Sequence, residues 1–211
     1  MSNRRYVVVE GPIGAGKTTL ARRLAEHWGM RLVAEQPEAN PFLPRFYRHF
    51  QYHALSTQLS FLLARAQIAK DMLHGDLMGQ PLVSDFMFER DSLFARINLD
   101  DQELALYQQL TRLVELEHPT PDLVIYLQAS PDKLQARSAQ RDADHDKNFP
   151  EGYLKRVQAA YSEFFYQYED APLLIVNTDH LNLVDSREDF DLLLRCISEM
   201  RGQRSYFNKS A

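Results

Sequence analysis

The chain has one cysteine, one tryptophan and eight glycines in 211 residues, and its scarcities narrow the options. A lone Cys196 cannot close an internal disulfide, and its apolar helical surroundings suit a buried, inert thiol in a reducing cytoplasm better than a nucleophile. Basic residues number 24 against 29 acidic ones, for a formal charge of −5. With no Lys/Arg-rich block, a nucleic-acid surface is not expected. No apolar run approaches the roughly 20 residues of a membrane helix, and the amino terminus shows no secretory h-region. Internal repeats, low-complexity tracts and linkers are missing too. A chain of this length suits one domain with an ample core, expected over residues 1–201, with a loose tail at 202–211 that lacks periodicity.

Three of the few glycines fall together. Residues Gly11–Thr18 read GPIGAGKT, directly after the apolar run Tyr6–Glu10. This is the pattern G-x-x-x-x-G-K-[ST]. Gly11, Gly14 and Gly16 let the backbone curl around an anion and aim N–H groups at it, and the helix expected from Lys17 adds its positive end. Lys17 can reach the β- and γ-phosphates of a nucleotide, and the Thr18 hydroxyl is placed to ligate Mg²⁺; Ala15 and Thr19 complete the loop. The alternative, a glycine-rich turn with an incidental lysine, is disfavoured by context. An apolar strand pattern precedes the loop, and Leu20, Leu24 and Trp28 follow at helical spacing up to Gly29.

Five segments read as buried parallel strands: Tyr6–Glu10, Arg31–Glu35, Pro81–Asp85, Asp122–Leu127 and Leu173–Asn177. Each is separated from the next by enough chain for a helix, which predicts an α/β fold of three layers around a five-stranded parallel sheet. Helical patterns run over about 54–74, 102–117, 151–168 and 187–200, the last opened by a capping-box pattern at Ser186 and Asp189. Between two of them, Gln140 to Asn148 reads QRDADHDKN. A solvated loop is one reading; in a phosphate-transferring protein a charged lid over about 140–150 is the other, with Arg137 and Arg141 one helical turn apart ahead of it.

Ligands of open parallel sheets bind beyond the carboxyl ends of the strands. There the sequence places Glu35 and Asp85, candidates for the base that accepts a hydroxyl proton and for the Mg²⁺ shell. Gln58 and Arg65 are seven apart on one helical line and flank Phe61, a combination suited to a nucleobase. Outward-snorkelling side chains on an amphipathic helix are an equally good reading of that spacing.

Together the segments VEGPIGAGKTTLA (9–21), AEQPEANPFLPRFY (34–47), STQLSFLLAR (56–65) and PDLVIYLQASPDKLQAR (121–137) resemble the deoxynucleoside kinase family, in its bacterial branch of deoxyadenosine and deoxyguanosine kinases, nearly end to end. The resemblance implies a P-loop NTPase core in nucleoside-monophosphate-kinase style with a lid, a homodimer, and transfer of the ATP γ-phosphate, with Mg²⁺, to the 5′-hydroxyl of a deoxynucleoside in nucleotide salvage. Carried over by position, Glu35 is similar to the family's general base, and Tyr47 to the tyrosine at the sugar 3′-hydroxyl. Gln58, Arg65 and Asp91 match the residues that fix the base. Arg141 matches the first lid arginine, and Asp146 falls at an acidic position reaching the sugar. After the last strand, the segment near Thr178–Leu183 falls where the family contacts the donor base; a plain surface turn is an equally good reading.

Two departures stand out. The family's acid-Arg-Ser after the third strand is Asp85-Phe86-Met87 here, and its lid Arg-Gly-Arg is Arg141-Asp142-Ala143. Either Arg137, Lys147 or Arg90 compensates for the missing cations, or turnover is poor. The Arg–Asp pair beside a glutamine is compatible with purines and with cytosine and fits thymine less well, which leans toward deoxyadenosine or deoxyguanosine. A nucleoside monophosphate kinase and a nucleotide-binding regulator without transferase activity are the rival readings.

Overall fold

The computed structural model describes residues 5–114, 117–141, 149, 150 and 152–209, and the side chains of these except 140 and 141. The expected lid, with Asp146 and Lys147, falls almost wholly outside the described residues. Six strands form one parallel sheet: β1 (Tyr6–Glu10), β2 (Arg31–Val33), β3 (Leu82–Ser84), β4 (Leu123–Gln128), β5 (Leu173–Asn177) and β6 (Arg204–Phe207), in the order β2-β3-β1-β4-β5-β6. The helices are α1 (Lys17–Trp28), α2 (Leu43–Arg48), α3 (Ala54–His74), α4 (Arg90–Asn98), α5 (Asp101–Val114), α6 (Pro131–Arg141), α7 (Tyr153–Gln167) and α8 (Arg187–Glu199). Among the described residues, no helix is long and apolar enough to cross a membrane.

Because strand side chains alternate between faces, β1 feeds two cores at once. Val7 and Val9 pack with Leu20 and Leu24 of α1 and Leu193 of α8. Tyr6 and Val8 pack with Ala69 of α3 and Val157, Tyr161 and Phe165 of α7. All three valines are fully buried, and each contributes about 1.5–3 kcal/mol through the hydrophobic effect. The central strand thus fixes the height of the loop that follows it.

Two sequence expectations need correction. The sheet has six strands rather than five, and the added strand, β6, lies in the segment expected to be a loose tail. It pairs in parallel with β5, Leu173 opposite Arg204 through Val176 opposite Phe207. Arg204 further donates to the carbonyls of Phe165, Tyr166 and Tyr168 at 3.0, 3.3 and 2.7 Å. Lys209 closes on Asp189 at 2.5 Å. This edge is held by main-chain bonds and a guanidinium, so it carries no apolar alternation to read.

The second and third strands also stop short, at Val33 and Ser84, the last residues of their mutual ladder. The Asp85 side chain then takes the next donor: Oδ1 accepts from the Glu35 N–H at 2.8 Å. At α8, Ser186 caps as expected, accepting from the Asp189 N–H at 3.1 Å. The Asp189 carboxylate goes to the Asn182 N–H and to Lys209.

Candidate functional site

The turn from β1 into α1 is built for an anion. Gly16, at φ 93°, caps α1 in the left-handed region that glycine adopts at little cost. At Gly14, φ 85°, an added Cβ would stand 2.8 Å from the Leu134 carbonyl oxygen of α6. Lys17 is half-buried and donates to the Pro12 carbonyl at 3.1 Å. Burial, and next the charge of Arg90, push its ammonium down to about 8. An arriving polyphosphate would favour the charged form.

Two clefts meet over this turn. One, of about 1060 Å³, runs along Ala15, Gly16 and Thr19 toward Arg137 and the segment after β5. The other, of about 380 Å³, reaches from Lys17 past Glu35 to Tyr47, Gln58, Phe61, Arg65 and Asp91. Gly14, Thr18 and Arg22 line both. Residues spread over the chain from Lys17 to Asp91 are thereby brought to one line, from an anion cradle into an aromatic pocket. Arg137 braces the larger cleft, donating to the Thr178 hydroxyl at 2.9 Å and to its carbonyl at 2.7 Å. Arg141 ends α6; its side chain lies outside the described residues.

At the junction, Thr18 Oγ1 donates to Asp85 Oδ2 at 2.5 Å. A hydroxyl beside a carboxylate, next to a phosphate cradle, matches the hard oxygen donors that Mg²⁺ takes when phosphate and water complete its shell. These two residues therefore fit the ion. Among the described residues, no cluster of three His, Cys, Asp or Glu offers a cage built wholly from protein.

Deeper in, Glu35 meets two guanidiniums. Arg65 bridges Glu35 and Asp91, and Arg90 Nη1 donates to Glu35 Oε2 at 3.1 Å. Burial alone would raise the Glu35 carboxyl, but the charges of Arg90, Arg65 and Lys17 outweigh it and hold the group at about 2. The quartet is charge-balanced, two cations on two carboxylates. Gln58 and Arg65, at 3% and 4% exposure, point into the pocket rather than snorkelling outward. Arg65 lies 5.4 Å over the Phe61 ring. The Asn40 amide donates to the Thr57 carbonyl at 3.1 Å and its oxygen accepts from the Phe42 N–H at 3.1 Å, which ties the approach to α2 onto α3. Tyr47 packs edge-on against Phe149 at 5.4 Å, and Phe149 stacks on Tyr153 at 5.4 Å, walling the outer side.

One important residue escapes motif reading. Glu10 is wholly buried and accepts from the Gly11 N–H at 2.8 Å, the Met87 N–H at 2.9 Å and the Tyr161 hydroxyl at 2.9 Å. Burial pushes the Tyr161 phenol well up, keeping it a neutral donor. The carboxylate thus pins the start of the anion loop to α7 and to the chain after β3. Its only signal in the sequence is an acid closing an apolar strand. The pocket also draws Phe94 and Asn98 from α4, two positions with no motif of their own.

Comparison with known proteins agrees with this layout. The chain is 29% identical to a deoxyguanosine kinase of Bacillus subtilis over 205 residues, covering 95% of this chain and 99% of that one. It is 28% identical to a deoxyadenosine kinase of Lactobacillus acidophilus, covering 92% and 95%. A deoxyadenosine kinase from M. mycoides superposes with a TM-score of 0.80 over 92% of this chain and all of that one; at 21% identity it speaks for the fold. Residues 7–200 match the deoxynucleoside kinase family, and since that span takes in both clefts and every strand but β6, the chain belongs to the deoxynucleoside kinases.

Proposed function

We propose that the protein transfers the γ-phosphoryl group of ATP to the 5′-hydroxyl of a deoxynucleoside. The observation that carries this reading is the junction of the two clefts: an anion loop opens directly onto an ionised carboxylate, Glu35, at the mouth of an aromatic pocket. ATP occupies the larger cleft, with its phosphates on Gly11–Thr19 and its base against Arg137 and the segment after β5. The nucleoside enters the smaller cleft with its sugar toward Tyr47 and its base on Phe61, Gln58, Arg65 and Asp91.

Phosphoryl transfer of this kind is mostly positioning and charge neutralisation. Glu35 orients the 5′-hydroxyl and accepts its proton late, as the new P–O bond forms; a carboxylate held near 2 is a poor early base, and a loose transition state does not need one. Lys17 neutralises the β- and γ-oxygens. Thr18 and Asp85 would hold Mg²⁺, which when bound would supply charge compensation on the phosphates. Arg141, Asp146 and a lid over about 140–150 complete the site in this proposal.

An uncharged acceptor is favoured over a monophosphate because Arg65 and Arg90, the guanidiniums deep in the pocket, are paired with Glu35 and Asp91. A purine or cytosine is favoured over thymine because Asp91 Oδ2 is buried with no partner and asks for a donor such as an exocyclic amino group, which thymine lacks; relatives named deoxyguanosine and deoxyadenosine kinases incline the reading to purines. The proposal extends to a homodimer, supported by Leu63 of α3 and Leu106 and Leu113 of α5, which are 64%, 45% and 79% exposed, and to a reducing cytoplasm that suits the unpaired Cys196. Sedimentation of the intact chain at the monomer mass would remove the dimer. The activity itself is tested by incubating the protein with ATP, Mg²⁺ and each deoxynucleoside in turn. A 5′-monophosphate is expected, fastest with a purine; no product from any of them would overturn the reading.

A further inference from the structure

The family resemblance implies an arginine after the third strand where this chain has Phe86, and the structure shows where the Phe86 side chain lies. Phe86 is 1% exposed, packs edge-on against Phe88 at 5.5 Å and lies beneath the Arg65 guanidinium at 5.6 Å. It is part of the floor that supports base recognition and presents no charge to the phosphates. One helical turn on, α4 begins. Its first residue, Arg90, sits where a long side chain leans back toward the start of its own helix, and so toward the junction of the clefts.

Three observations mark Arg90 as more than a structural counter-ion. Its Nη1 donates to Glu35 Oε2 at 3.1 Å, at the carboxylate that faces the acceptor. Its Nε–H is buried with no partner, an orphan donor of the kind that an incoming anion satisfies. It lines the same cleft as Lys17 and Thr18, and its charge is a principal cause of the depressed Lys17. A polyanion arriving in the loop would offset that repulsion on Lys17. The other two candidates do not meet this description. Arg137 is spent on Thr178 in the larger cleft, and Lys147 lies outside the described residues.

From these contacts, and resting on the kinase reading above, we infer that Arg90 is the catalytic cation of this enzyme, replacing from α4 the arginine absent at position 86. In the step it assists, the acceptor 5′-oxygen forms its bond to the γ-phosphorus while the bond from that phosphorus to the β,γ-bridging oxygen breaks, its electron pair leaving with ADP. The hydroxyl proton passes to Glu35. Arg90 keeps one N–H on Glu35 and turns its orphan Nε–H to an equatorial oxygen of the group in flight. One guanidinium thereby aligns acceptor and donor across the junction. The lost position-86 arginine is then a relocation, which removes one of the two grounds for reading the chain as an inactive regulator.

The test compares Arg90→Lys, which keeps the charge, with Arg90→Gln, which removes it. ATP and nucleoside affinities, measured by calorimetry, are expected to stay within about threefold of wild type, since a transition-state contact leaves ground-state binding in place. Turnover is expected to fall by about a hundredfold or more in the glutamine variant and by about tenfold in the lysine variant. Added guanidinium ion is expected to restore turnover in Arg90→Gln selectively. A glutamine variant that turns over as fast as the lysine variant, or a loss that tracks lowered thermal stability and lost ATP binding, overturns the assignment. Wild-type protein that forms no monophosphate would instead sink the kinase reading, so the two failures are distinguishable.

Discussion

The two clefts that meet at Thr18 are built by opposite means. On the phosphate side, the anion loop is backbone from one continuous stretch, Gly11–Thr19, in which Lys17 is the one charged residue. The acceptor side is made of side chains from the segment after β2, from α2, from α3 and from α4, and its charges hold one another: Arg65 to Glu35 and Asp91, Arg90 to Glu35. A cradle of main-chain N–H groups serves any polyphosphate. A quartet of paired charges serves one acceptor, because each member is fixed by another and an ill-fitting base leaves a buried group unpaired. Generic grip and specific reading are thus separated in space and in chemistry.

Substitutions on either side sharpen that contrast. Lys17→Met should have the largest effect, lowering turnover by about a thousandfold while also weakening ATP binding, since the loop loses its only mobile charge. Steady-state kinetics with calorimetry checks this, and ATP affinity unchanged by the loss would break the division of labour. Glu35→Gln should leave ATP affinity nearly intact and lower turnover by about a hundredfold or more; unchanged turnover would remove Glu35 from the mechanism. Asp91→Asn should act on selectivity, changing the kcat/KM ratio between purine nucleosides and thymidine by about 10- to 100-fold with ATP parameters untouched. An equal loss for every nucleoside would instead assign Asp91 to holding Arg65.

The smallest effect is set by pH. Lys17, pushed down to about 8 in the free protein, is charged below that value and neutral above it. The kcat/KM for ATP should therefore fall as pH rises through about 8. Glu35, held near 2, stays ionised across the working range and should contribute no acid limb. A profile flat to pH 10 or beyond would show that Lys17 keeps its proton without a nucleotide.

What could be read from the residues follows the same divide. The anion loop was legible because its chemistry is contiguous: three glycines, a lysine and a threonine in fixed order after an apolar strand. The first five strands and the long helix α3 were legible from their apolar patterns. Gln58 and Arg65 could be placed on one helical line, yet the sequence could not decide whether that line faced inward; the answer depends on Asp91, 26 residues beyond Arg65, being present to receive it. Glu10 and Arg90 were harder still. Each draws its meaning from partners in other elements, Tyr161 and Met87 for one, Glu35 for the other. The edge strand β6 was hidden for a third reason, since backbone pairing and the Arg204 bonds to three carbonyls hold a segment that buries little.

The central claim is that one line of residues presents the terminal phosphoryl group to an uncharged sugar alcohol. A crystal structure of the intact protein with a non-hydrolysable ATP analogue, Mg²⁺ and deoxyguanosine tests it most directly. The γ-phosphate should lie against Lys17, with the 5′-hydroxyl within hydrogen-bonding reach of the Glu35 carboxylate and the base between Phe61 and Asp91. A nucleoside bound with its sugar turned away from Glu35, or bound outside the smaller cleft altogether, would contradict the account.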